Sequence, residues 1–179
     1  MNGKNVWQKL AEHYPLWWEW VVLILIVFSF WYPAAHYAEL PAQIPTHFGP
    51  SGAPDAWSPK SPVSVYLAPL ILVGTYILMT ALNVWFALAP DPRKLINLPK
   101  KRLEKMTPEQ VESIRGETIK GLFVLKFLLA AMSADLSYES TRVALGLQNG
   151  LNPVWLWSFF GAIMIYSLYF TVRLLKLSK

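Results

Sequence analysis

Residues 16–32, LWWEWVVLILIVFSFWY, decide the fold class of this chain. The run is almost entirely apolar, and its aromatic residues gather at its two ends, as in helices whose ends lie at the membrane–water interfaces. A membrane-spanning helix needs about 20 mostly apolar residues. The run is also longer than the apolar region of a secretory signal peptide, which has about 7–15 residues. We therefore predict that it crosses a membrane.

Three further apolar runs follow, at residues 63–88, 121–136 and 154–175. The third is interrupted by Lys126. Proline or charged residues separate the runs, and such residues end or break apolar helices. The sequence predicts an all-α membrane protein, a single domain over residues 1–179, with four transmembrane helices and a structured extracytoplasmic loop between helices 1 and 2.

The composition agrees with a membrane protein and excludes several kinds of site. Only 15% of the residues are charged, against about 25% in an average soluble domain. The chain has no cysteine, which excludes disulfides, thiolate catalysis and Cys-ligated zinc or iron–sulfur centres. We find no nucleic-acid-binding motif. We therefore expect no nucleic acid partner and no cofactor.

The distribution of lysine and arginine predicts the orientation. The predicted outer connections contain only Lys60 and Arg142, whereas both tails and the loop 89–117 are basic. Cytoplasmic segments carry the excess of basic residues. We expect both termini and the loop 89–117 in the cytoplasm and the loop 33–62 outside. The basic loop either anchors the chain to anionic membrane lipid or docks a cytoplasmic partner.

The loop 33–62 contains QIPTHFGPSGAPDAW at residues 43–57. Each proline fixes its own φ and favours extended geometry in the residue before it. We expect residues 43–48 to be extended, a turn at 49–52 in which glycine takes positive φ, and a second arm at 53–57. The expected structure is a rigid hairpin-like cap, with the aromatic rings of Phe48 and Trp57 packed on the helices.

His47 and Asp55 lie on opposite arms of this turn, where they can meet. One interpretation is a hydrogen bond that only holds the loop in shape. The other is a ligand or proton site at the outer mouth, with Gly49, Gly52 and Pro54 setting the backbone. A metal site that uses His36, Glu39, His47 and Asp55 is a further alternative, but the spacing of metal-binding motifs is missing, so we predict no metal.

Lys126 places a charge inside the third predicted span. Such a charge costs about 2.5–3.5 kcal/mol at the centre of a membrane helix, so its side chain should face the other helices or reach the interface. Asn83 in the second span is a candidate partner, and Glu19 is expected at the inner interface. Lys126 either lines an ion or proton path or packs against a backbone carbonyl or a lipid phosphate.

In the basic loop, Thr107 is a candidate N-cap, with Pro108 at the first helical position and Gln110 completing a capping box. We therefore predict a short helix that leads into the third span.

Two landmarks resemble a known family. LPAQIPTHFGPSGAPD at residues 40–55 resembles the signature loop of the SdpI-type immunity proteins of prokaryotes, whose N-terminal membrane domain has no assigned general function. Asp91, Pro92, Arg93 and Asn97 resemble the second landmark of that family. Longer members continue into further spans with a Gly-Ile-Arg-Thr-Pro-like element, which this sequence lacks. The resemblance implies a prokaryotic cell membrane and protection against a secreted membrane-active peptide.

Three functions remain open, and none is enzymatic, because no nucleophile–base set, paired carboxylates or phosphate loop is present. The first is a protein whose outer loop binds a peptide or lipid-like ligand, for immunity or sensing. The second is an accessory subunit that packs against other membrane protein subunits. The third is a small carrier or channel that uses Lys126. Membrane lipid is a partner in each case.

Overall fold

The computed structural model describes residues 5–96 and 99–178. The chain is mostly helical, and it contains one small sheet of two strands. In chain order the elements are α1 (Val6–Ala11), α2 (Trp18–Ala35), β1 (Gln43–Phe48), β2 (Pro54–Pro59), α3 (Pro62–Leu88), a 3₁₀ turn (Pro92–Leu95), α4 (Lys100–Leu103), α5 (Pro108–Ala144) and α6 (Pro153–Leu177). Asn97 lies outside the described residues.

Three described helices, α2, α3 and α6, are long and apolar enough to cross a membrane. They correspond to the first, second and fourth predicted spans. Their large apolar side chains face outward, and α6 buries none of its residues; Ile165, for example, is 72% exposed. A soluble protein rarely exposes so continuous an apolar surface. These helices therefore indicate a membrane protein.

The third predicted span, 121–136, lies within α5. This helix packs against α2, α3 and α6, so it is the central helix of the bundle. Polar and charged side chains, among them Lys126, lie on its buried face. The bundle therefore hides polar groups inside and presents apolar groups outside.

The sequence signals for the start of α5 are confirmed, but its length differs from the prediction. Thr107 caps the helix, its hydroxyl accepting a hydrogen bond from the Gln110 amide at 3.3 Å, while the Gln110 side chain accepts from the Thr107 amide at 3.0 Å. The sequence predicts a short helix that leads into the third span. The structure has one helix of 37 residues, because no residue breaks it: its internal glycines pack against neighbouring segments.

Of the internal glycines of α5, Gly121 lies closest to a neighbouring segment. A Cβ atom at this position would lie 2.2 Å from Cε2 of Phe170 on α6. We therefore expect Gly121→Ala to lower the free energy of unfolding in detergent by about 1–3 kcal/mol, as overpacking does. Phe170→Leu in the same chain should restore most of the loss. Gly74→Ala is the matched control, because no atom lies within 4 Å of the added Cβ; an equal loss in both variants would contradict the packing argument.

The segment before α2 folds back on the bundle, which the sequence did not predict. α1 packs against α3, and Leu10 and Tyr14 are buried. α1, the 3₁₀ turn and α4 lie at one end of the bundle, here called the basic end. The hairpin of β1 and β2 lies at the other end, here called the hairpin end.

The hairpin confirms the expected extended segment and corrects its packing. β1 pairs antiparallel with β2, with an irregular register between Pro45 and His47. The second arm is Pro54–Pro59 rather than 53–57. Ile44 and Pro45 are buried against the helices, whereas Trp57 is 52% exposed. The expectation that Trp57 packs on the bundle is therefore wrong, because β1 occupies the side that faces the helices.

Candidate functional site

The tip of the hairpin is fixed to the loop between α5 and α6. The Leu151 amide donates to the Gly52 carbonyl at 2.8 Å, and the Trp157 indole donates to the Pro50 carbonyl at 3.1 Å. Gly52 has φ of 83°, a conformation that glycine adopts without strain. Within the turn, the Gly52 amide donates to the Gly49 carbonyl at 2.9 Å. The tip thus has a defined position on the bundle.

The base of the hairpin is fixed by Lys60. Its ammonium donates to the Leu40 carbonyl at 2.8 Å and to the Tyr37 carbonyl at 3.4 Å, and it lies 5.4 Å from the centre of the Tyr37 ring. Tyr37 in turn stacks on Tyr66 of α3. These contacts hold the base of the hairpin against the chain that leaves α2.

His47 and Asp55 meet as the sequence predicted. His47 Nδ1 lies 2.5 Å from Asp55 Oδ1, and the two side chains are 69% and 51% exposed. Gly49 lies beside the pair, since a Cβ there would be 3.3 Å from Asp55 Oδ2, and Pro54 pairs with Phe48. With Nδ1 donating to the carboxylate, Nε2 is an acceptor that faces no described partner. The pair can therefore offer one acceptor nitrogen and a carboxylate to a ligand.

The hairpin does not gather a metal site. His36 pairs with Glu39 at 3.2 Å, apart from the His47–Asp55 pair. Within residues 5–96 and 99–178, no three His, Asp or Glu side chains come together as metal ligands do. The exposed surface of the hairpin instead combines the His47–Asp55 pair with a Thr46–Ser58 hydroxyl contact at 3.2 Å and the indole of Trp57.

One family model matches the part of the chain that contains the hairpin. Residues 24–73 match the family described as Domain of unknown function (DUF1648). An uncharacterised protein of Archaeoglobus fulgidus is 33% identical over 89 residues, which are 46% of this chain and 49% of that protein. The match thus spans about half the length of this relative. No solved structure matches the chain.

The DUF1648 segment contains most of α2, the whole hairpin and the first part of α3. All five hairpin residues singled out in the sequence lie within it, namely His47, Gly49, Gly52, Pro54 and Asp55. Leu151 and Trp157, which hold the tip, lie outside it. The segment therefore supplies the exposed surface and the contacts at the base of the hairpin, and the remainder of the chain holds its tip.

A second cluster of predicted residues lies inside the bundle, outside the DUF1648 segment. Lys126 is 1% exposed, and its ammonium donates to both Glu19 oxygens, at 2.6 and 2.8 Å, and to the Thr80 hydroxyl at 3.2 Å. The prediction that Asn83 is the partner of Lys126 is wrong. Its side chain is 0% exposed, and the hydrogen bonds of the Lys126 ammonium go to Glu19 and Thr80 instead. Glu19 takes its place because the start of α2 turns this carboxylate into the bundle.

Aromatic groups complete the surroundings of this ion pair. The Tyr14 hydroxyl donates to Glu19 Oε1 at 2.7 Å, and burial, with this hydrogen bond, raises the pKa of Tyr14. The Lys126 ammonium lies 4.8 Å from the Tyr76 ring centre and 5.5 Å from that of Phe123, distances at which a cation is attracted to a ring. Every donor of the ammonium thus faces a carboxylate, a hydroxyl or a ring, which is the arrangement of a structural ion pair.

The second sequence landmark forms a small capped turn at the basic end. The Asp91 carboxylate accepts from the Arg93 amide at 3.1 Å and from the Arg93 guanidinium at 2.9 Å, and Pro92 is buried. The hydrogen bond from Arg93 holds the pKa of Asp91 below its usual range. Asp91 and Arg93 therefore satisfy each other and hold the turn that follows α3. The structure does not bring this landmark into the hairpin site.

Sequence reasoning missed the residues that complete both clusters. At the hairpin these are Leu151 and Trp157, which are distant in sequence and carry no motif. In the bundle they are Tyr14 and Thr80. Sequence reasoning also missed that Glu19 is the partner of Lys126. One signal was available: Glu19 is the only acidic residue in the first predicted span, and an acidic residue in one span often pairs with a basic residue in another.

Proposed function

We propose that this chain is a non-enzymatic integral membrane protein of the prokaryotic cell membrane whose hairpin binds a peptide or lipid-like ligand, for immunity or sensing. One observation carries the proposal: the hairpin is fixed at its tip and base, yet its His47–Asp55 pair and Trp57 remain exposed. A loop that served only to connect α2 and α3 would need no such fixed and exposed polar surface. Loops held by a rigid scaffold are common binding sites.

The proposed topology has four spans, with α5 crossing the membrane as the central one. The charge of Lys126 is compatible with this, because Glu19 neutralises it inside the bundle and intramembrane charges are normally paired. The basic residues of the loop 89–117 favour a cytoplasmic basic end. On this topology the hairpin end faces outward, where an extracellular ligand can reach it.

The immunity or sensing role rests on the resemblance of residues 40–55 to the signature loop of SdpI-type immunity proteins. The hairpin that contains these residues supports the proposal because it exposes both the His47–Asp55 pair and the indole of Trp57. Such a surface suits an amphipathic peptide, since an indole contributes apolar contact area and a polar N–H.

The test compares two histidine variants in bacterial cells that produce the chain. Cells are challenged with cationic amphipathic peptides of the membrane-active class, and survival is measured against cells without the chain. We expect His47→Ala to lose most of the protection. Its folding should be retained, because an exposed ion pair contributes only about 0–1 kcal/mol.

His36→Ala is the matched control, because His36 also pairs with a surface carboxylate near the hairpin but lies outside it. It should protect as well as the wild-type chain. Equal protection by the His47→Ala and wild-type chains would contradict the hairpin as the binding surface. Survival that is the same with and without the chain would contradict an immunity role against these peptides.

A further inference from the structure

A groove of about 340 Å³ opens on the outside of the bundle between the start of α2 and the middle of α5. Its lining is entirely apolar and consists of Trp17, Trp18, Val21, Phe123, Val124 and Phe127. Within this lining, the centres of the Trp18 and Phe123 rings lie 5.6 Å apart. The groove is separate from the hairpin, which lies at the opposite end of the bundle, so it takes no part in the proposed peptide binding.

The position of the groove suggests its depth in the membrane. Trp17 and Trp18 stand at the first turn of α2, and tryptophans at the end of a membrane helix lie at the level of the lipid headgroups. Val21 and Phe127 lie one turn or more further toward the middle of the bundle. The groove therefore runs from headgroup depth into the hydrocarbon region, which is the path of an acyl chain.

A cation stands at the headgroup end of the groove. Lys120 precedes Phe123 and Val124 by three and four residues on α5, so it shares their face of the helix. It is exposed, and within the described residues it makes no ion pair. The nearby acidic residue Glu117 already faces Arg173, at 3.7 Å.

His13 also lies near this end of the groove, next to Gly116 of α5. Burial lowers the pKa of His13, so its ring is neutral at pH 7. Arg115, another cation near His13, is already paired with Glu112 at 2.9 Å. The exposed Lys120 therefore supplies positive charge where a lipid phosphate would lie.

We propose that this groove binds one acyl chain of an anionic phospholipid, with the lipid phosphate paired with Lys120. The apolar lining provides the contact for the chain, and the lysine provides the selectivity for a negative headgroup. The site requires both parts, because the lining alone would accept a chain from any lipid. The second groove at the basic end, of about 280 Å³, includes the polar side chains of Thr118, Thr171 and Ser178 in its lining and fits an acyl chain less well.

The experiment uses the full-length protein in phosphatidylcholine vesicles that contain a small fraction of a photoreactive lipid. The probe is phosphatidylglycerol with a diazirine in one acyl chain, and phosphatidylcholine with the same chain is the comparison. Adducts are located by mass spectrometry. We expect phosphatidylglycerol adducts to concentrate on Val21, Val124 and Phe127, about fivefold above the phosphatidylcholine probe, the preference that one lysine near an anionic headgroup provides.

Two variants distinguish the contribution of the lipid headgroup to binding from that of the acyl chain. Lys120→Glu should remove the preference for phosphatidylglycerol, whereas Lys94→Glu, which changes an exposed lysine elsewhere at the basic end, should retain it. Val124→Trp should fill the groove and abolish adducts on Val21 and Phe127 for both probes. Adducts spread evenly over the exposed faces of α3 and α6, or a preference unchanged by Lys120→Glu, would overturn the proposal.

Discussion

Gly52→Ala is expected to detach the hairpin from the loop between α5 and α6. A Cβ at Gly52 would lie 2.2 Å from the Leu151 carbonyl oxygen, and this atom belongs to the backbone, so no side-chain rotation relieves the clash. The positive φ of Gly52 adds about 1–2 kcal/mol for any residue with a Cβ. With about 1–3 kcal/mol for overpacking, the docked state should lose several kcal/mol relative to the detached state.

Hydrogen exchange detects this detachment directly. The Leu151 amide donates to the Gly52 carbonyl, so its exchange should accelerate strongly in Gly52→Ala, together with that of the amides of β1 and β2. The helices should keep their protection, because the hairpin is not part of their packing core.

Gly146→Ala is the matched control for the backbone cost alone. Gly146 has a positive φ of 71°, but no atom lies within 4 Å of an added Cβ. Its effect should be limited to the strain of that φ and should leave the Leu151 amide protected. Equal exchange at Leu151 in both variants would contradict the close contact between Gly52 and Leu151.

The second large effect is expected from the buried ion pair. Lys126→Met leaves the Glu19 carboxylate inside the bundle without its cation, although the Tyr14 hydroxyl still donates to it, and removing one partner of a buried pair costs about 3–5 kcal/mol. Glu19→Leu leaves the ammonium with the Thr80 hydroxyl and two rings, and should cost a similar amount. The free energy of unfolding in detergent measures both losses.

The double variant Lys126→Met/Glu19→Leu distinguishes a structural ion pair from an ion path. It removes both charges, and replacing a buried pair by apolar groups is often close to neutral. Its free energy of unfolding should therefore be clearly higher than that of either single variant. Arg173→Met, which removes a half-exposed contact with Glu117 at 3.7 Å, is the control and should cost less than about 1 kcal/mol. A Lys126→Met chain as stable as the wild type would contradict the structural role and favour the carrier hypothesis.

The sequence predicts those features that are determined by a few neighbouring residues. The three apolar helices follow from continuous apolar runs, and β1 follows from the prolines and glycines of residues 43–57, since both signals act within a few residues. The start of α5 at Thr107 is equally local. Its uninterrupted course is not, because it depends on the close contacts of Gly116 with His13 and of Gly121 with Phe170.

The partners of the candidate site residues could not be predicted from the sequence, because they lie far away along the chain. Lys126 meets Glu19 across 107 positions. In the sequence, Asn83 lies inside a predicted span and Glu19 lies near the start of one, so the sequence favours Asn83 as the partner. The sequence also predicts that Trp57 packs on the helices. Which arm of a hairpin faces the bundle depends on where α5 and α3 lie, and residues 43–57 carry no signal for that.

The most direct test of the proposed function is hydrogen exchange of the vesicle-reconstituted chain with and without a cationic amphipathic peptide of the membrane-active class. If the hairpin is the binding surface, the peptide should slow exchange at residues 43–59, and His47→Ala should abolish the effect while its helices remain protected. Slower exchange confined to other segments, or the same slowing in His47→Ala, would contradict ligand binding at the hairpin.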